Sequence, residues 1–381
     1  MTLQKLIFSI ALLLLNLFPI SEIFAQNTLG NIVINEINYR SVETEQDITF
    51  VELYNTASDS ISLEAWHLEG GIDYQFPIGT KLPAGGYLVV AADMDTAQTA
   101  LNFTGAIGPF TGKLSNRSDK IILRNSFLQI EDEVEYNGWK EWPHVRDTLT
   151  NQPISIQKIN PLLPSKHPGS WSAALATPKA KNTNVFIANP AAIPIIKDIS
   201  KTPDEPLPGE TVRIKADLTN LDNVNGLQVS LEYQTVDAGS YIGKTDPLYN
   251  TSWVAIPMKD DGIGADSTAG NDVYTAAIPA SAQIHRRLVR YRVKVTAAGG
   301  YERLFPDQDH PESNYAYFVY DKPTEYNGYS FDNLPSLPEI ILITTNSHTN
   351  INILAYLGQE YLGEGTLVYN CLLYTSPSPR D

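Results

Sequence analysis

Two glutamates set in apolar runs are the first residues whose type and placement could do chemistry: Glu36 in Ile32-Val33-Ile34-Asn35-Glu36-Ile37 and Glu52 in Phe50-Val51-Glu52-Leu53-Tyr54. Two carboxyl groups across a cleft can divide the acid and base roles of a hydrolysis. Each glutamate lies inside a strand-like run, however. There a carboxylate accepts hydrogen bonds from backbone or neighbouring residues and fixes strand ends, and no third polar group recurs beside the pair. The expectation is a structural pair and no catalytic residue.

Three other constellations have chemical content. Asp260, Asp261, Asp266 and Asp272 lie in one Gly-rich stretch, and a hard cation such as calcium takes several oxygen ligands from a flexible acidic loop. The spacing lacks the terminal bidentate Glu of an EF-hand, and Asp with Gly also suits turns for conformational reasons alone. Arg290, Arg292 and Lys294 alternate with Tyr291, Val293 and Val295, which puts the cations on one face of a strand. With Arg286 and Arg287 nearby, that row is either a solvated sheet face or a site for an anionic polymer. Among the tryptophans, Trp66 sits in the apolar run Ile61 to Leu68 and reads as core, whereas Trp139 and Trp142 flank Lys140 and Glu141 and read as an exposed aromatic site. The 6 His are dispersed without metal-ligand spacing, and no Gly-rich phosphate loop or nucleophile elbow occurs, so no cofactor is expected.

The elements that must position these residues are strands. With 20 Tyr, 25 Pro and 24 Gly against 3 Met, the composition favours short strands and turns over long helices. Period-two runs recur at Tyr87-Leu88-Val89-Val90-Ala91, Glu210 to Ala216, Leu227 to Tyr233 and Leu288 to Val295. A length of 381 residues predicts two or three domains. The net charge of −16 disfavours nucleic acid and anionic membranes as partners.

Both ends carry their own signals. Lys5, the apolar run Leu6 to Leu17 and small residues up to Ala25 have the order of a secretory signal peptide, cut after Ala25. The run is shorter than the roughly 20 residues that span a bilayer, so no transmembrane segment is expected in the mature chain. Residues 371–381 resemble the conceptual translation of a transposase adapter used for sequencing libraries, which would end the biological sequence near Asn370. They hold the only cysteine, Cys371, so disulfides are not available as staples.

A family resemblance follows from the residues of the first module. Ile34-Asn35-Glu36-Ile37, Phe50 to Asn55, Ile61 to Leu68, Phe76-Pro77-Ile78-Gly79-Thr80, Leu82 to Ala92, Asp119 to Leu123 and Asp132 to Tyr136 occur in the order of a lamin tail domain. Gly169-Ser170-Trp171-Ser172 and Thr177-Pro178-Lys179-Ala180-Lys181-Asn182 resemble its close. The resemblance implies an immunoglobulin-like β-sandwich. A second stretch, marked by Met258 to Gly262 and Ala269 to Pro279, resembles the immunoglobulin-like or fibronectin-type domains of secreted bacterial proteins. The strand Leu337 to Thr344 resembles the opening of a spore-coat-protein-H-like (CotH) kinase domain. None of that family's catalytic motifs precedes Asn370.

The expected organisation is therefore all-β: a signal peptide at 1–25, a lamin-tail-like sandwich at 28–185, a Pro-bearing semi-rigid linker at 189–194 and an immunoglobulin-like sandwich at 190–321. A truncated α/β or α+β segment at 322–370 and the adapter-like tail complete it. The expected role is binding or spacing outside the cell, with an extracellular protein or surface polymer as partner. The rival is the accessory region of a secreted kinase, and neither reading gives this chain an active site.

Overall fold

Apolar alternation becomes strand pairing in the computed structural model of the chain. It describes residues 30–39, 47–137, 141–143, 145, 153–184, 189–237, 240, 242–243, 246–306 and 314–321, with short backbone strands beyond. The first sandwich comprises β1 (Ile32–Asn38), β2 (Phe50–Asn55), β3 (Ile61–Ser62), β4 (His67–Gly70), β5 (Ile72–Gln75), β6 (Lys81–Leu82) and β7 (Tyr87–Ala91). A short helix α1 (Met94–Leu101) follows, then β8 (Thr111–Gly112), β9 (Ser118–Arg124), β10 (Ile130–Asn137), β11 (Ile154–Lys158) and β12 (Trp171–Leu175). One sheet runs β12-β11-β1-β2-β7 and the other β10-β9-β4-β5-β8. Ile34, Leu53, Leu68, Ile121, Val134, Ile156 and Trp171 are among the side chains buried between them.

Strand β1 departs from simple alternation. Its register against β2 shifts between Ile34 and Glu36, a bulge that lets Ile34 and Ile37 both face the core. All seven of its residues are buried, because its outer face is covered as well.

The second sandwich is built from β13 (Ile195–Thr202), β14 (Val212–Thr219), β15 (Gln228–Val236), the short helix α2 (Pro247–Thr251), β16 (Val254–Pro257) and β17 (Val273–Ile278). It closes with β18 (Leu288–Ala297), β19 (Tyr301–Phe305) and β20 (Tyr315–Phe318). Strands β13-β14-β17 form one sheet and β16-β15-β18-β20 the other, with β19 also pairing β18. Tyr291, Val293 and Val295 point into the core, as their spacing predicts.

The structure corrects the linker. Residues 190–192 form a 3-10 turn, Ile193 is fully buried, and Asn220 Nδ2 donates to the carbonyls of Pro190 and Ile193 at 2.7 Å each. Ile159 and Leu163 of the first module belong to the second module's core. Arg303 donates to the Trp171 carbonyl at 2.9 Å, and the Tyr315 hydroxyl donates to Glu141 at 3.3 Å. Burial and the Glu141 charge hold that hydroxyl well above the ordinary tyrosine range, which keeps it a donor. Apolar burial and buried polar pairing thus join the modules where only a short semi-rigid linker was expected.

Gly169 marks the closest approach: a Cβ there would meet the backbone nitrogen of Ile196 at 2.6 Å and its oxygen at 2.9 Å. Backbone cannot yield as a flexible side chain can. Gly169→Ala is therefore expected to lower stability by about 1–3 kcal/mol, read by denaturant midpoint.

Beyond β20, backbone strands at Leu342–Thr344, Gly365–Tyr369 and Leu372–Thr375 pair antiparallel in that order, and Leu372 meets Tyr315. Leu372–Thr375 falls in the adapter-like tail. An open sheet edge templates any extended chain through backbone groups alone, so the pairing carries no information about origin. Most of 322–370 and all of 1–25 lie outside the described residues.

Candidate functional site

Glu36 and Glu52 stand opposite each other on β1 and β2, both fully buried. Their carboxylates face outward from the sandwich, and the segment Thr177 to Asn184 lies across them as a strap. One oxygen of Glu36 accepts from Ser155 Oγ at 2.6 Å and from the Thr177 backbone N–H at 2.9 Å, and the other accepts from Thr177 Oγ1 at 3.0 Å. Glu52 accepts from Asn35 Nδ2 at 3.0 Å and from the Lys179 backbone N–H at 2.5 Å. Asn182 locks the end of the strap by donating to the carbonyls of Asn35 and Lys158, at 3.1 and 2.9 Å. Gln157 adds an acceptor for the Thr183 N–H at 3.0 Å.

Burial pushes both carboxyls up, Glu52 to about 8 with the Glu36 charge as the second cause. Two like charges this close in a dry site do not both ionise readily, so the pair titrates as a unit. Its donors are strap and sheet. The arrangement fastens the strap.

A second buried charge holds the junction. Lys158 is fully buried, donates to the Leu163 carbonyl at 2.8 Å and lies 3.9 Å from Asp132. Asp132 also accepts from the Ile34 N–H at 2.8 Å and from Ser165 Oγ at 2.7 Å, and Trp171 Nε1 donates to the Ser165 carbonyl at 2.8 Å. These bonds shape the loop after β11 that carries Ile159 and Leu163 into the second core. Burial pulls the Lys158 amine down to about 8, with Asp132 opposing. The sequence reading passed over Lys158, although the signal was present: in Ile154-Ser155-Ile156-Gln157-Lys158, strict alternation puts the ammonium on the apolar face.

The other candidates resolve differently. Trp66 is core, as expected, but Trp142 is only 8% exposed and packs on Trp171 with ring centroids 6.2 Å apart, which corrects its placement in an exposed site. Trp139 lies outside the described residues. The cationic row is not a free patch. Arg290 is buried against Tyr249 and donates to Gln234 at 2.8 Å. Arg292 pairs with Glu232 at 2.6 Å and lies over Trp253, and Lys294 pairs with Glu302 at 2.8 Å. Helix α2 and Trp253 cover this face, which strand spacing alone could not reveal.

In the acidic loop the carboxylates cap its own backbone. Asp260 accepts from the N–H groups of Asn271 and Asp272, and Asp266 from those of Gly262 and Thr268. Those bonds lower the Asp266 pKa. Asp261 accepts from the Ile263 N–H at 3.0 Å. Among the described residues no group of three or more His, Cys, Asp or Glu is arranged to hold a metal, and no helix is long and apolar enough to cross a membrane.

No curated protein matches the chain. The folded first sandwich extends through β11, β12 and the strap, beyond the segment a family comparison recognises, because β1 is unpaired on one edge without β11. Residues 25–138, which contain β1 to β10, match the family model of the Lamin Tail Domain, an immunoglobulin-like β-sandwich module.

Proposed function

We propose that the chain is the exported, surface-associated part of a multi-domain protein, and that its two sandwiches act outside the cell as one stiff unit in binding or spacing. The observation that carries this reading is the junction: Ile159 and Leu163 enter the second core, and Glu141, Trp171 and Gly169 are in contact with the second module. A binding partner, whether protein or surface polymer, would meet two sheets in fixed orientation. Inter-domain contacts of the transient kind are polar and leave relative motion free, whereas this one shares an apolar core. Both buried charge clusters serve the fold, which favours binding or spacing over catalysis in this chain.

Export follows from residues 1–25 and stands on the sequence alone. The kinase-accessory reading of a longer parent stands on the resemblance at 322–370 and on domain order. The test is expression of the complete chain in a Gram-negative host, followed by fractionation and calorimetry. The expected result is a chain outside the cytoplasm beginning at Gln26, with both modules unfolding in one transition. Cytoplasmic retention of the uncleaved chain would contradict export, and two well-separated transitions would contradict the single stiff unit.

A further inference from the structure

Four large apolar side chains stand exposed at one end of the first sandwich. The β9–β10 hairpin turns with Phe127 81%, Leu128 67% and Ile130 50% exposed, and the turn after β5 presents Ile78 at 86%. Ile130 stands opposite Arg124, Arg124 opposite His67 and His67 opposite Gln75, so one row crosses the sheet and both turns leave it at the same end. Two strand spacings, about 10 Å, separate them.

The hairpin tip closes its own backbone. Asn125 Oδ1 accepts from the N–H groups of Phe127 and Gln129 at 3.0 and 3.1 Å, and the Asn125 carbonyl accepts from the Leu128 N–H at 2.8 Å. Arg124 donates to the Leu128 carbonyl at 3.0 Å and is neutralised by its pair with Glu69. Leu128 holds φ at 61°, a left-handed conformation that Gly or Asn adopts with less strain. Neither Phe127 nor Leu128 belongs to the core of the sandwich. An apolar side chain kept in solvent on strained backbone points to a contact made outside the fold.

These bonds select among apolar partners. A protein pocket brings donors and acceptors that can complete a turn entering it. Hydrocarbon brings none, so a turn that enters a bilayer must satisfy its polar groups internally, as this one does at Phe127, Leu128 and Gln129. Residues 125–130 and 76–80 carry no charge, and the net charge of −16 opposes an anionic surface. We propose that this end of the first sandwich inserts Phe127, Leu128, Ile130 and Ile78 into the interface of an uncharged lipid bilayer. The proposal deepens the surface-associated reading by naming lipid as the surface. It fails separately from that reading, because vesicle binding is measured apart from export and module stiffness.

The test floats the chain from Gln26 onward, which lacks the apolar run Leu6 to Leu17, with vesicles of phosphatidylcholine alone and of phosphatidylcholine mixed with phosphatidylglycerol. Binding to the first is expected, and no tighter binding to the second. Phe127→Ser and Leu128→Asn are each expected to lower the partition about tenfold, the effect of withdrawing one large apolar side chain. Ile263→Ser, at an exposed site of the second module, is expected to leave it unchanged. Leu128→Asn is also expected to hold or raise the unfolding temperature, since Asn suits the left-handed turn. No flotation with phosphatidylcholine, which would leave a protein pocket as the partner of the tip, would overturn the proposal. So would tighter binding to the anionic vesicles, indifference to both tip substitutions, or a lower unfolding temperature of Leu128→Asn.

Discussion

Glu36→Ala is expected to cost about 2–4 kcal/mol. The loss has an identifiable origin. The substitution removes the acceptor of Ser155 Oγ and of both the backbone N–H and the hydroxyl of Thr177. The strap then loses its first anchor, and its remaining holds include Glu52, Gln157, Asn182 and Asn184. Limited trypsin digestion reads this directly, because Lys179 and Lys181 become cleavable only when the strap leaves the sheet. Rapid cutting in the variant and resistance in the wild type are expected. Equal resistance would mean that the strap is held elsewhere.

The same pair sets a pH dependence of definite sign. A carboxyl whose folded pKa lies above its unfolded value holds a proton that the unfolded chain has released, so stability falls as pH rises through that window. With Glu52 at about 8 against an ordinary 4.5, the loss accumulates from about pH 4.5 to 8. It is on the order of 3–5 kcal/mol at about 1.4 kcal/mol per unit. Glu36→Gln keeps the shape and removes one of the two charges, and the Thr177 hydroxyl can rotate to accept from the new amide. Its stability relative to wild type is therefore expected to improve steadily from pH 4.5 to 8. A constant difference would show that the two groups do not interact.

Lys158→Ala is the second large effect, expected at about 3–5 kcal/mol, since it opens a cavity and leaves Asp132 buried without its cation. The sign of the pH effect is opposite here. A lysine held at about 8 in the fold and 10.5 when unfolded opposes folding while charged, so stability rises from about pH 8 to 10.5. Lys158→Met, which keeps most of the volume, is expected to lack that rise. Denaturant midpoints of wild type and Lys158→Met measured across this range should diverge by on the order of 3 kcal/mol. Parallel curves would place the amine in contact with water.

Most strands were legible because alternation is a local property: Phe50 to Tyr54, Tyr87 to Ala91 and Leu288 to Val295 all pair where they were expected. The lamin-tail resemblance rested on such strings and agrees with the match over 25–138. What the sequence hid was what covers the outer faces. Glu36 and Glu52 read as structural carboxylates that accept hydrogen bonds, as they do, but the strap more than a hundred residues downstream that supplies several of those donors left no local signal. Arg290 read as one of an exposed row, yet Tyr249 of α2 packs on it. The bulge at Ile34/Glu36 breaks the period that would have assigned faces along β1. Trp142 read as exposed because its flanks are charged, whereas its partner Trp171 is distant in sequence. The covers over Arg290 and Trp142 are contacts between residues far apart along the chain, where local pattern carries no signal.

The claim on which the proposed role rests is that the two sandwiches keep one orientation. Spin labels at Ser126→Cys and Ser267→Cys, in a chain with Cys371→Ser, place one probe on an exposed site of each module. The distance distribution by pulsed electron resonance is expected to be a single narrow peak, and Gly169→Ala is expected to broaden it. A broad or multimodal distribution in the unaltered junction would contradict the account and return residues 189–194 to the role of a linker between independently oriented modules.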